Sequence, residues 1–168
     1  AVRMDSKLIS SNIAWYSRYE IIHETFCKQV EKTEVERIED QMVRGLALEF
    51  LGEDAQKTVY RTDSETMAMR LLTLGIVIDY ILSHSLPDEK PLLRRVFSEQ
   101  YEKAEDGTVS VRDKKHVSAK SVQNPNDPDA EYRGKAGKKV KGYSTNITET
   151  CDEEDKPSLI TNVDVEGA

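Results

Sequence analysis

Between residues 11 and 103 the apolar side chains recur at steps of three and four, whereas before and after that stretch they alternate with polar ones. A strand placed ahead of a long helical run can complete a sheet only with strands that follow the run. The first segment, Val2-Arg-Met-Asp-Ser-Lys-Leu-Ile9, sets Val2, Met4 and Leu8 against Arg3, Asp5 and Lys7, the period of two of a strand, with Asp5 on the face opposite Met4. The order is therefore one strand, a helical insertion, a basic loop and two late strands. That order defines an α+β or α/β chain whose first strand pairs with its last ones.

The helical run has its own punctuation. Ser10-Ser-Asn12 is helix-cap chemistry, and Trp15, Tyr19, Ile22, Phe26 and Val30 form one apolar stripe. Thr33-Glu-Val-Glu36 fits a capping box and opens a second helix with Val35, Ile38, Met42, Leu46 and Phe50 inside and Gly52 as its stop. Thr62-Asp-Ser-Glu65 is a second such box, ahead of Met67, Leu71, Leu74, Ile78 and Ile81. Leu86-Pro87 ends that helix. A fourth starts near Asp88, tolerates Pro91 in its first turn, and turns Leu92, Val96 and Tyr101 inward. Residues 11–105 thus read as a helical bundle inserted into a sheet domain made of residues 1–10 and 106–168. Within the latter, Asn124-Pro-Asn-Asp-Pro128 is a turn, and 142–150 with 158–165 read as a hairpin around the loop 152–157.

Charge is unevenly spread. The chain carries a net charge of −7, yet residues 112–143 hold nine basic and four acidic side chains. Within them, Arg133-Gly-Lys-Ala-Gly-Lys-Lys-Val-Lys141 has five cations and no anion. On charge alone this strip is equally a solvated loop or a phosphate-binding one. It is not a nucleotide-binding P-loop, because Tyr132 stands where the first glycine belongs and Lys139 where Ser or Thr belongs. No apolar run reads as long enough for a membrane-spanning helix, and no signal peptide is visible. The start at Ala1-Val2-Arg3 suggests a piece of a longer protein. Cys27 and Cys151 lie far apart, which argues against a disulfide framework or a zinc site and favours a reducing cytoplasm.

Asp5 is the candidate for chemistry. A carboxylate in an otherwise apolar strand is either exposed or must be paired or metal-bound; from pattern alone, exposure is the simpler reading. His23 and His84 lack spaced carboxylates or cysteines and read as surface or boundary residues, His116 as a loop residue, and Asn146-Ile-Thr148 as a fortuitous sequon. Trp15, Tyr19 and Phe26 read as helix core.

Several ordered segments carry a resemblance. Arg3-Met-Asp-Ser-Lys-Leu-Ile-Ser-Ser-Asn-Ile-Ala14 with Arg18-Tyr-Glu-Ile-Ile22 resembles the opening of the catalytic domain in DDE transposases of bacterial insertion sequences. Ser121-Val-Gln-Asn-Pro-Asn-Asp-Pro-Asp-Ala-Glu-Tyr-Arg133 resembles the stretch those proteins carry before their next strand. Lys141-Gly-Tyr-Ser-Thr-Asn-Ile-Thr-Glu-Thr-Cys-Asp152 and Leu159-Ile-Thr-Asn-Val163 are similar to their "K-G-Y … T-E-T … L-I-T-x-V" pattern.

The resemblance implies a partial ribonuclease H-like mixed sheet with an inserted helical bundle, and two Asp and one Glu holding two Mg²⁺ ions. Such a pair of ions would serve in-line displacement at a phosphodiester. Asp5 matches the first of those acids. Asp164 and Glu166 read as strand and loop residues instead, so this stretch would hold one ligand of three and be inactive alone. Arg133, Lys135, Lys138, Lys139 and Lys141 would bind DNA, both transposon ends and target, in a cytoplasmic protein that is compatible with a homo-oligomer and has no membrane partner. The alternative is a non-catalytic DNA-binding or interaction module, a decayed transposon remnant in which Asp5 is merely exposed.

Overall fold

The computed structural model describes residues 2–10, 17–135, 138–150 and 160–167. The readings made on Ser11, Asn12, Trp15, Gly137, Cys151 and the loop 152–157 lie outside them. Helices and sheet occur together, as an α+β chain requires, in two compact units: Ala1–Trp15 with Val122–Ala168, and Tyr16–Ser121.

Among its described residues the second unit holds six α-helices and a small hairpin. These are α1 Arg18–Gln29, α2 Lys32–Val35, α3 Gln41–Leu51, α4 Ala55–Arg61, α5 Ser64–Ser83 and α6 Pro91–Gln100, then β2 Tyr101–Lys103 paired with β3 Val109–Val111. Ile22, Phe26, Val35, Phe50, Leu74, Val77, Ile78, Leu93 and Val96 are fully buried and form its core. Ser17 caps α1 through a complete capping box with Glu20.

Two expectations about caps are corrected. The run from Thr33 to Phe50 is not one helix, because Asp40 accepts from the N–H groups of Met42 and Val43 and starts α3 afresh. Thr33 caps nothing; it lies inside α2 and its hydroxyl donates to Glu31. In the later box the cap is Asp63, whose carboxylate accepts from Glu65 and Thr66, and α5 begins at Ser64. Pro91 does occupy the first turn of α6, while Leu93 rather than Leu92 is the fully buried residue there.

α5 also corrects the reading of the chain's hydropathy. Among the described helices it alone is long and apolar enough to cross a membrane by length and composition. Its Leu74, Val77, Ile78 and Ile81 are buried in the helical unit. Its Arg70 and Asp79 are ion-paired to Glu53 and Lys103. Gly75 lies at its centre because the Tyr101 ring packs there. A Cβ on residue 75 would stand 2.2 Å from Tyr101 Cε1, and the Tyr101 hydroxyl donates to the Leu71 carbonyl at 2.7 Å.

The first unit is a sheet of β1 Val2–Ser10, β4 Glu131–Lys135, β5 Lys138–Thr150 and β6 Ile160–Gly167. All pairings among its described residues are antiparallel. The early strand does find its partner among the late ones: β1 pairs with β5 from Val2↔Thr150 to Ser10↔Gly142. The late strands pair as read, from Tyr143↔Gly167 to Glu149↔Ile160. Gly142 has both Ser10 and Glu131 opposite it, and Tyr143 has both Ile9 and Gly167. Hence β4 and β6 follow one another along the edge of β5 that faces away from β1. Gly142, at the changeover, has a φ of 153°, open mainly to glycine.

Candidate functional site

In an antiparallel sheet, residues directly opposite share a face and neighbours along a strand alternate. Asp5 is opposite Ile147, which is opposite Val163. The same face therefore takes Lys7 with Thr145, Arg3 with Glu149, and, further along β5, Tyr143, Lys141 and Lys139. Asp5 thus belongs to the strand joined to 142–150, in the interior of that strand's pairing.

The basic strip is not a loop. It forms the two arms of a hairpin, with Arg133↔Val140, Gly134↔Lys139 and Lys135↔Lys138 in register. Folding it as strands divides its cations. Lys139 and Lys141 fall on the face of Asp5, and Lys139 is exposed. Arg133, Lys135 and Lys138 fall on the opposite face. Lys141 and Asp5's partner Ile147 are six residues apart on β5, about 20 Å at the rise of an extended strand. The register places Lys7 on that interval. Sequence reasoning passed over Lys7 as a contributor, although its signal was present: it stands two residues from Asp5 in a period-two segment.

Asp164 and Glu166 are strand residues, exposed, and opposite Asn146 and Ser144. That is the face turned away from Asp5. Asn146 Nδ2 donates to Glu166 Oε1 at 3.0 Å, and Asn162 Nδ2 donates to Asp164 Oδ2 at 2.6 Å. Among the described residues, the face of Asp5 carries one further carboxylate, Glu149. Nor do the described residues contain any group of three His, Cys, Asp or Glu able to hold a metal. These described residues do not fit a two-ion, three-carboxylate centre.

Ahead of the hairpin, Asn124 makes the expected turn: its Oδ1 accepts from the Asn126 N–H at 2.9 Å and its carbonyl from the Asp127 N–H at 3.0 Å. The Tyr143 hydroxyl donates to Asp127 at 2.6 Å and ties the turn to β5, and this bond pushes the phenol up from its usual value.

The remaining titratable candidates lie in the helical unit and are structural. His23 is buried at 4% exposure, not at the surface, because its Nε2 donates to the Phe50 carbonyl near the end of α3 at 2.7 Å. Cys27 lies beside it; burial, then Glu24 and Glu53, push its thiol up to about 11, so it is a thiol at neutral pH and a poor nucleophile. His84 is exposed, donates to the Tyr80 carbonyl and stacks on that ring at 4.2 Å. His116 is exposed in a short 3₁₀ turn, Lys114–His116. Comparison of the chain with known protein families, with curated proteins and with solved structures gives no match.

Proposed function

We propose that the chain is part of a DDE-type DNA transposase, with a ribonuclease H-like sheet formed by β1, β5, β4 and β6 and interrupted by the helical unit. In this reading Asp5 is the first carboxylate of the catalytic set, and the hairpin cations hold the DNA backbone. The observation that carries it is the register: a strand bearing Asp5 is joined antiparallel to β5, whose extension bears Lys138, Lys139 and Lys141 and pairs with β4, which bears Arg133 and Lys135. Lys139, Lys141 and Lys7 share the face of Asp5, so a phosphodiester chain held by them runs toward that carboxylate. The protein would work in the cytoplasm.

One observation favours the second reading, a DNA-binding module without catalysis. Asp164 and Glu166 stand on the face turned away from Asp5, so the later acids described here do not join it. Both readings require DNA binding. The test is fluorescence anisotropy with a mixed-sequence duplex across a salt series. Affinity is expected to fall as salt rises, and to fall again in the combined Lys138→Ala, Lys139→Ala, Lys141→Ala variant. The salt slope of that variant should be shallower by about 0.9 for each phosphate its side chains no longer neutralise. Binding indifferent to salt and to the triple substitution overturns the DNA reading. The two readings are separated by Asp5→Asn in a strand-transfer assay on the full-length protein: loss of activity supports the enzyme, and absence of any activity in the unsubstituted protein supports the module.

A further inference from the structure

The apolar stripe of α5 runs further than the core that covers it. Leu74, Val77, Ile78 and Ile81 are buried, whereas Leu71 and Met67, one and two turns earlier on the same face, are only half-buried. What stands against them is a cavity of about 290 Å³. Ala68 joins them in its wall, with Val59 of α4, Arg18 of α1 and Lys114 of the 3₁₀ turn, all within the helical unit. The volume lies at the small end of the range of ligand pockets, which starts at about 300 Å³.

Arg18 is half-buried, and its hydrogen bonds to described residues all go to neutral acceptors. Its Nε donates to Gln100 Oε1 at 2.7 Å, and its Nη2 to the carbonyls of Gln100 at 2.8 Å and Arg112 at 2.7 Å. Among the described residues, Nη1 has no acceptor and no carboxylate lies within ion-pair distance of the guanidinium. The nearby carboxylates are engaged elsewhere: Asp113 accepts from the Lys115 N–H, and Glu53, bonded to Tyr19, is paired with Arg70. A partly desolvated cation among neutral dipoles is left short of negative charge. Lys114 adds a second cation, exposed at the same cavity. Apolar walls with two cations suit an anion that has an apolar body. A doubly charged phosphate would give up more hydration than these donors replace, whereas a carboxylate carries one charge and is a natural acceptor for a guanidinium.

We propose that this cavity binds a small aliphatic monocarboxylate, with its head at Arg18 and Lys114 and its body against Val59, Met67, Ala68 and Leu71. The inference does not rest on the reading of the chain as DNA-binding. It gives the helical unit a ligand of its own, at a place where the α5 stripe continues and no side chain covers it.

The experiment is isothermal titration calorimetry of the full chain with butanoate, hexanoate and octanoate, and with hexan-1-ol and hexylammonium as probes of the charge. Affinity is expected to rise about fourfold for each methylene added. Hexanol and hexylammonium should bind at least about tenfold more weakly than hexanoate. Ala68 is exposed at the cavity's rim, so Ala68→Leu, which keeps a good helix former, should fill the space and lose saturable hexanoate binding with thermal unfolding unchanged. Lys114→Gln, also at an exposed position, should weaken hexanoate about two- to fivefold. Arg18→Gln should weaken it about tenfold or more, read together with far-UV circular dichroism because Arg18 also ties α1 to Gln100. Hexanol or hexylammonium binding as tightly as hexanoate overturns the carboxylate site. So does hexanoate binding that Ala68→Leu leaves unchanged, or the absence of saturable heat with all three acids.

Discussion

Glu53 is the most constrained ionisable residue of the helical unit. Its side chain is 6% exposed, its Oε1 accepts from the Tyr19 hydroxyl at 2.6 Å, and its Oε2 accepts from Arg70 Nε at 2.8 Å. Arg70 also reaches Glu49 at 3.0 Å and lies over the Phe50 ring. Burial alone would raise the Glu53 carboxyl; the bonds from Arg70 and then Tyr19 outweigh it and hold the group below the usual carboxylate range. A depressed value in the folded state means that the ionised group stabilises the fold fully above the unfolded value of about 4.3, and that this contribution is lost as pH falls through the folded value. Glu53→Gln should therefore cost about 1–3 kcal/mol at pH 7 in urea denaturation. It should also flatten the decline in stability that the unsubstituted protein shows on acidification. None of this network is visible in the sequence, since Tyr19 lies in α1, Glu53 in the connection between α3 and α4, and Arg70 in α5, and only packing brings them together.

At the scale of elements, Gly75 shows why a helix can carry its weakest residue at its centre. Glycine inside a helix costs about 1 kcal/mol relative to alanine, and here that cost is offset by the close approach of the Tyr101 ring, which also stacks on Phe97 at 5.2 Å. The ring is fully buried and cannot swing aside. Gly75→Ala should thus destabilise by about 1–3 kcal/mol, as overpacking does, despite the better helix propensity; thermal unfolding followed by circular dichroism reads it. The stripes of α1, α5 and α6 were legible because each buries one face over two or more turns. The break before α3 was legible only in Asp40, a cap residue within an otherwise continuous stripe. α4 has no buried residue, so it leaves no stripe, and three-residue strands such as β2 and β3 are too short for alternation to register. The basic strip read as a loop because lysine and glycine are poor strand formers; the pairing of 133–135 in β4 with 138–140 in β5 makes it a ribbon.

Across the whole molecule, an early strand, a helical run and a late pair of strands were legible in that order, and so was the pairing of the first strand with the late ones, while β2, β3 and β4 were not. What the pattern could not supply was the register, which decides that Asp5 shares its face with Lys139 and Lys141 and not with Asp164 or Glu166. A one-residue slip would reverse that assignment. The contacts of the helical unit close loops within Tyr16–Ser121, whereas Ser10 and Gly142 must meet across that entire unit. Long loops close at greater entropic cost and non-local pairings form late. Pulsed hydrogen exchange during refolding should find the α1, α5 and α6 amides protected before those shared by β1 and β5; simultaneous protection would contradict this order. The same geometry bears on synthesis. Chains emerge at about 5–20 residues per second, so β1 leaves the ribosome on the order of ten seconds before residues 142–150 exist to receive it. Throughout that interval the nascent chain displays an unpaired strand ahead of a helical unit already free to fold, and it is then that β1 is open to capture by a chaperone or by the β1 of a neighbouring nascent chain.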